Sequence, residues 1–114
     1  MRARSNGGAR AAKTSASVFA ALGDETRLRL VSRLCEQGPL SIAKLTAGND
    51  VTRQAITKHL HVLAEAGLVR GTRDGRENVW ELEPRRLQAA REYLGQISQQ
   101  WDDALDRLKV FVGG

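Results

Sequence analysis

The sequence predicts a mostly α-helical domain carrying one β-hairpin. Three observations lead there. Apolar residues recur at helical spacing through most of the chain. The periodicity switches to two short β-type runs only around Asp74-Gly75, and a proline at 84 opens a long stretch with no further proline. At 114 residues the chain is of one-domain length. It divides into a flexible basic N-terminal tail over 1–15, a core over 16–84, and a C-terminal helix over 85–112 belonging to the same domain.

Each element has its local reason. After the tail comes a short apolar helix broken at Gly23, then a second helix that starts near Asp24, a good N-cap, and stops at Gly38-Pro39. Leu28, Val31, Leu34 and Cys35 fall on one face of that second helix, which is read as its core face. In "LSIAKLTAG" Ser41 caps a short helix with Ile42 and Leu45 as its apolar pair and Gly48-Asn49 as its stop. The segment "DVTRQAITKHLHVLAEAGLV" then reads as a well-formed helix, with Thr52 able to cap it, its end at Ala66, and Gly67 suited to the left-handed position. Runs over 68–73 and 76–82 flank Asp74-Gly75, a strong signal for a tight hairpin turn. From Pro84 the chain reads as one long helix, with Gly95 a tolerated weak point.

Composition narrows the function. The hydrophobic fraction of 41% and charged fraction of 27% are those of a globular protein, and no apolar run reaches membrane-spanning length. The start "MRARSNGGARAAKTSAS" lacks a signal-peptide core, so a cytoplasmic protein with no membrane association is expected. One cysteine excludes an intramolecular disulfide and an all-cysteine metal site within the chain. The net charge of +5 points toward polyanions, although its sign alone does not separate nucleic acid from an acidic surface or plain solubility.

Distribution of charge is more informative. On a helical wheel of "DVTRQAITKHLHVLAEAGLV", Ala55, Ile56, Leu60, Val62, Leu63 and Ala66 occupy one half, whereas Arg53, Gln54, Thr57, Lys58 and His61 gather on the other. A solvated face would look similar. Yet Arg and Gln are the side chains that bond base edges bidentately, Thr reaches base or phosphate, and Lys is a phosphate charge. The short helix, turn and amphipathic helix make a helix-turn-helix, and the hairpin after it supplies a wing. Arg70, Arg73 and Arg76 cluster there, so that five basic residues stand against two acidic ones between Val51 and Arg76. Such charge supplies salt-sensitive affinity while the helix supplies discrimination.

Three segments, "FAALGDETRLRLVSRLCEQGPLSIAKL", "TRQAITKHLHVLAEAGLV" and "RDGRENVWEL", resemble the ArsR-type winged helix-turn-helix repressors of bacteria and archaea, in the same order and spacing. The resemblance implies a homodimeric repressor that binds an imperfect inverted repeat in double-stranded DNA near promoters. By that analogy Thr52, Arg53, Gln54, Thr57 and Lys58 enter the major groove, and the wing tip from Arg73 to Arg76 touches backbone or minor groove.

Many relatives of this kind sense metals, but the usual ligands are missing. The segment "LSIAKLTAG" has no Cys or His, and the terminal helix offers Asp102, Asp103 and Asp106 without a histidine. No metal and no cofactor are expected. His59 falls on the apolar half and is read as structural, packed or bonded to backbone. His61, on the polar half, is read as a DNA contact or as simply exposed. Cys35 is read as a small core residue, with a redox role the alternative. Arg2, Arg4, Arg10 and Lys13 belong to a solubilising tail or to an arm that follows DNA.

Along the terminal helix, Leu87, Ala90, Leu94, Ile97, Trp101, Ala104, Leu108 and Phe111 form a continuous apolar seam at spacings of three and four. It can pack on the chain's own first helix and on a second copy, with Leu87, Leu94, Ile97, Trp101 and Leu108 assigned to the dimer interface and Tyr93 beside them. No nucleophile with a base and no phosphate-cradling loop is present, so an enzyme is not expected. The expected function is a DNA-binding transcriptional regulator. A ligand- or thiol-responsive sensor of the same fold and a protein-interaction module are the alternatives, and an effector is not specified.

Overall fold

The computed structural model describes residues 2–48 and 50–113, with side chains from residue 9 onward. Five helices and three strands follow in the order α1 (Arg2–Leu22), α2 (Glu25–Gln37), β1 (Leu40–Ser41), α3 (Ile42–Thr46), α4 (Arg53–Glu65), β2 (Val69–Asp74), β3 (Glu77–Leu82) and α5 (Pro84–Gly113).

Local chemistry sets most boundaries. Asp24 caps α2 by accepting from the Arg27 amide at 3.0 Å, and Ser41 caps α3 by accepting from the Lys44 amide at 3.2 Å. The chain leaves α2 through Gly38 at φ 78°, in the left-handed region that a residue with a Cβ enters only with strain. Asn49, half of the expected stop after α3, lies outside the described residues. Strand β1 was not legible in the sequence: two residues pair with β3 through Leu40↔Trp80 and Ser41↔Val79, giving an antiparallel sheet of order β1-β3-β2. A two-residue strand carries no periodicity to read.

Three expectations need correction. First, the tail expected over 1–15 is helical from Arg2 onward, as the first part of α1, whose Ser15, Val18 and Ala21 are buried at spacings of three. Ala9, Ala11, Ala12 and Lys13 favour helix, and burial of Ser15, Val18 and Ala21 against the rest of the domain holds it. Second, the core face of α2 is carried by Leu30, Val31 and Leu34, whereas Leu28 is 51% exposed. Third, Cys35 is exposed rather than packed in the core. The apolar face of α2 is turned away from Leu28 because the side facing α1 and α4 is the side of Leu30 and Leu34.

The core joins α1, α2, α3 and α4 with the base of the hairpin. Val18, Leu30, Leu45, Ile56, Leu60, Leu63 and Leu68 are essentially inaccessible. From α5 only Ala90 is buried. The long helices make the chain extended, at 64 × 37 × 20 Å with a radius of gyration of 18.3 Å. A compact domain of similar length has about 13 Å. Helix α5 packs against α1 and runs on beyond that contact.

Candidate nucleic-acid interface

Helix α4 is fixed at both ends. Thr52 Oγ1 accepts from the Ala55 amide at 3.1 Å. At the other end Gly67 takes φ 78°, its amide bonding Ala64 O at 2.9 Å while the Leu68 amide bonds Leu63 O at 3.0 Å. These two bonds form a Schellman motif, and its apolar pair, Leu63 with Leu68, is fully buried. Ile56, Leu60 and Leu63 thus key α4 into the core. Arg53, Gln54, Lys58 and His61 consequently face solvent. Thr57 stands with them but half-buried, its hydroxyl donating back to Arg53 O at 2.9 Å, so it presents a methyl group and a free lone pair.

The wheel assignment of α4 holds except at Val62. Expected in the core half, it is 41% exposed, at the edge of a shallow groove shared with Ser17 and Ala20 of α1. Its angle lies at the border of the apolar arc.

His59 is partly buried, and its partners are side chains rather than backbone. Arg27 Nη1 lies 3.2 Å from its Nδ1, and Asp24 Oδ2 lies 3.8 Å from the same atom. Arg27 also donates through Nε to Ala21 O at 2.6 Å, so one guanidinium joins the end of α1 to the middle of α4. The Arg27 amide bonded to Asp24, with the nearby His59 and Arg27 charges, holds the Asp24 carboxyl below its ordinary value of 3.8, against a smaller opposing effect of desolvation. Arg27 was not singled out in the sequence, since one arginine in "DETRLRL" carries no sign of what it will bridge.

The hairpin turn is one residue further along than the Asp-Gly dipeptide suggests. Asp74 pairs with Glu77, leaving Gly75 and Arg76 as the loop, with Gly75 at φ 64° and no non-glycine residue at positive φ among those described. Glycine at the first loop position is the pattern of a type II′ turn. Arg73 and Arg76 are exposed at the tip. Arg70 is not part of that tip cluster: its Nε lies 2.7 Å from Glu81 Oε1 and its Nη1 3.4 Å from Glu83 Oε2. The hydrogen bond and charge of Glu81, with the charge of Glu83, raise its pKa above the ordinary arginine value. The free positive charge therefore comes from Arg53 and Lys58 on α4 and from Arg73 and Arg76 on the wing.

The apolar seam of α5 divides in two. Leu94, Trp101, Leu105 and Leu108 lie within a stripe about 60° wide and are all at least half exposed, Trp101 to 67%. Ile97 and Ala104 lie to one side and are half-buried, whereas Ala90 and Leu87, on the line of the stripe itself, are buried and half-buried where the helix begins near the core. Among the described residues no group of three or more His, Cys, Asp or Glu side chains gathers as a metal site would require. No described helix is long and apolar enough to cross a membrane.

A family model described as a helix-turn-helix domain matches residues 22–72, from the end of α1 into β2. An HTH-type transcriptional regulator of Bacillus subtilis (strain 168) is 42% identical over 69 residues, covering 55% of this chain and 75% of that protein. An ArsR-like transcriptional regulator from Rhodococcus sp. RHA1, a solved structure, is 36% identical with a TM-score of 0.71 over 87% of this chain and 92% of that one. The chain belongs to the ArsR-type winged helix-turn-helix regulators. Within that family α3 and α4 are the helix-turn-helix and β2-β3 is the wing. The arsenical resistance operon repressor of Escherichia coli (strain K12) is a further relative, 36% identical over 67 residues, covering 59% of this chain and 57% of that protein. As a member of the family the chain is a DNA-binding transcriptional regulator and not an enzyme.

Proposed function

We propose that the chain is a homodimeric cytoplasmic repressor that occupies an inverted-repeat operator near a promoter. One observation carries the reading. The polar row of exposed Arg53, Gln54 and Lys58 with half-buried Thr57 stands on a helix whose opposite side, Ile56, Leu60 and Leu63, is locked in the core. A rigid helix presenting bidentate donors at its first two turns is what major-groove reading requires. Thr52, at the cap, adds a hydroxyl that can still donate to a phosphate. Arg73 and Arg76 extend the contact to the DNA backbone or the adjacent minor groove, and His61 lies at the far edge.

The dimer follows from the uncovered stripe of α5. Leu94, Trp101 and Leu108, with Leu87 and Ile97 at its border, meet the same residues of a second copy. A twofold protein then matches a twofold operator. Repression is by occupancy, because nothing beyond DNA binding is needed to exclude polymerase. The E. coli relative, itself named a repressor, supports that sign.

Selection of bound duplexes from a random pool tests the whole reading. An inverted repeat is the expected product, whose affinity Arg53→Ala or Gln54→Ala lowers by about 1–3 kcal/mol per base contact. Salt-sensitive binding with no sequence preference overturns it.

A further inference from the structure

The wing tip is supported by unusually little. From Gly71 to Asn78 every residue is exposed, and an isolated two-stranded hairpin is marginal in water. The last aromatic side chain before the tip is Trp80. It is half-buried, packs against the core, and its strand also pairs with β1 at Leu40.

Trp80 is paired across the hairpin with Gly71, and its ring lies over that glycine. A Cβ placed on Gly71 would stand 3.1 Å from Cη2 and 3.2 Å from Cζ2 and Cζ3. Only the missing side chain lets the indole lie so close to the β2 backbone. The same ring meets His61 of α4, with centroids 6.0 Å apart and planes tilted by 52°. One aromatic ring thus touches both the hairpin and the helix that carries Arg53 and Gln54. Strand alternation places Arg73 and Asn78, themselves a cross-strand pair, on the same face as Gly71 and Trp80, about 7 Å nearer the tip. His61, Trp80, Gly71, Arg73 and Asn78 line one groove between α4 and the wing.

We infer that Trp80, seated on Gly71 and braced by His61, is a positioning residue that sets where Arg73 meets the DNA backbone relative to the bases read by α4. The inference rests on the DNA-binding reading and adds to it a role for two residues outside the basic row. His61 acts through the indole rather than on a base. With the ring gone, the hairpin pivots about its base, and the Arg73 contact is lost as an ordered interaction while the α4 contacts persist.

The test is a pair of double-mutant cycles on a duplex recovered by selection from a random pool. Arg73→Ala and Arg53→Ala are each measured in the wild-type and Trp80→Leu backgrounds. Arg73→Ala is expected to weaken binding about tenfold in the wild type and less than about twofold beside Trp80→Leu, while Arg53→Ala costs the same factor in both. A loss of folded protein alone scales both cycles equally and does not produce that difference. His61→Ala, at an exposed position, is taken through the same cycles and decides the matter if Trp80→Leu does not fold. It is expected to reduce the Arg73 factor by at least half. An unchanged Arg73 factor in these backgrounds overturns the positioning role and leaves DNA binding intact. A wild-type chain that retains no preferred duplex overturns the DNA-binding reading and this inference together.

Discussion

The winged helix-turn-helix and the terminal helix use apolar residues in opposite ways. In the first, Ile56, Leu60, Leu63 and Leu68 end inside their own chain and are fully buried. In the second, Leu94, Trp101, Leu105 and Leu108 form an equally regular stripe that ends in solvent. A periodic apolar pattern therefore reports that a face will be covered, not by which chain. Location of stability follows: the first region is held by its own contacts, whereas the exposed stripe of the second is completed by association in the proposed dimer.

The sharpest test of that contrast is a pair of truncations. Leu60→Ala removes a fully buried side chain that the core cannot replace and is expected to cost about 2–5 kcal/mol in urea unfolding at any protein concentration. Leu108→Ala, measured at a concentration low enough to keep the chain monomeric, is expected to cost far less, because solvent already reaches it. Equal losses at low concentration would erase the distinction between the two regions.

Association is next. Trp101→Asp places a charge in the middle of the stripe and is expected to yield a monomer by sedimentation. In the wild type the melting temperature should rise with concentration, as for any fold stabilised by its own partner, and in the variant that dependence should disappear. A wild-type chain that sediments as a monomer at high concentration would leave the α5 stripe without the role assigned to it.

Within the first region the charged residues themselves divide. Arg53→Ala is expected to lower affinity for the selected duplex by about 1–3 kcal/mol while leaving unfolding unchanged. Arg70→Ala should change affinity little, since Glu81 and Glu83 already hold that guanidinium. If Arg70→Ala costs as much as Arg53→Ala, the ion pairs must open on DNA, and the wing contributes charge from its base as well as its tip.

These contrasts also mark what was legible in the sequence. Helix α4, its Thr52 cap, its Gly67 exit and its polar row could be read directly, because capping and a 3.6-residue period are local chemistry. Strand β1 could not, since two residues at Leu40 and Ser41 become a strand only when β3 arrives beside them. The face of α2 was misread because Leu28 and Cys35 satisfy the helical period as well as Leu30 does, and only the positions of α1 and α4 choose between the two sides. Arg70 was counted with the wing charges because its pairing with Glu81 depends on a cross-strand register set by the Gly75-Arg76 turn. At the site, residue types were readable, whereas partners across elements, His59 with Arg27 and His61 with Trp80, were not. A glycine opposite a tryptophan in a hairpin is a usable signal once that register is known.

The smallest expected effect lies inside the first region, at Asp24 between α1 and α2. Its carboxyl is held below the ordinary 3.8 in the folded chain, chiefly by the Arg27 amide. A depressed folded pKa means that the unfolded chain binds the proton more readily, so the contribution is fully present above 3.8 and disappears as the pH falls through the lower folded value. Asp24→Asn keeps an N-capping side chain but removes this charge. The wild type should therefore lose more stability than the variant between pH 6 and pH 2.5, judged by thermal unfolding at each pH. His59 lies close enough for its positive form to deepen the difference, so Asp24→Asn and His59→Ala together should be less than additive. An identical acid profile for wild type and Asp24→Asn would mean that the α2 cap works by hydrogen-bond geometry alone, and that the Asp24-Arg27-His59 contact joins α2 to α4 without any contribution from charge.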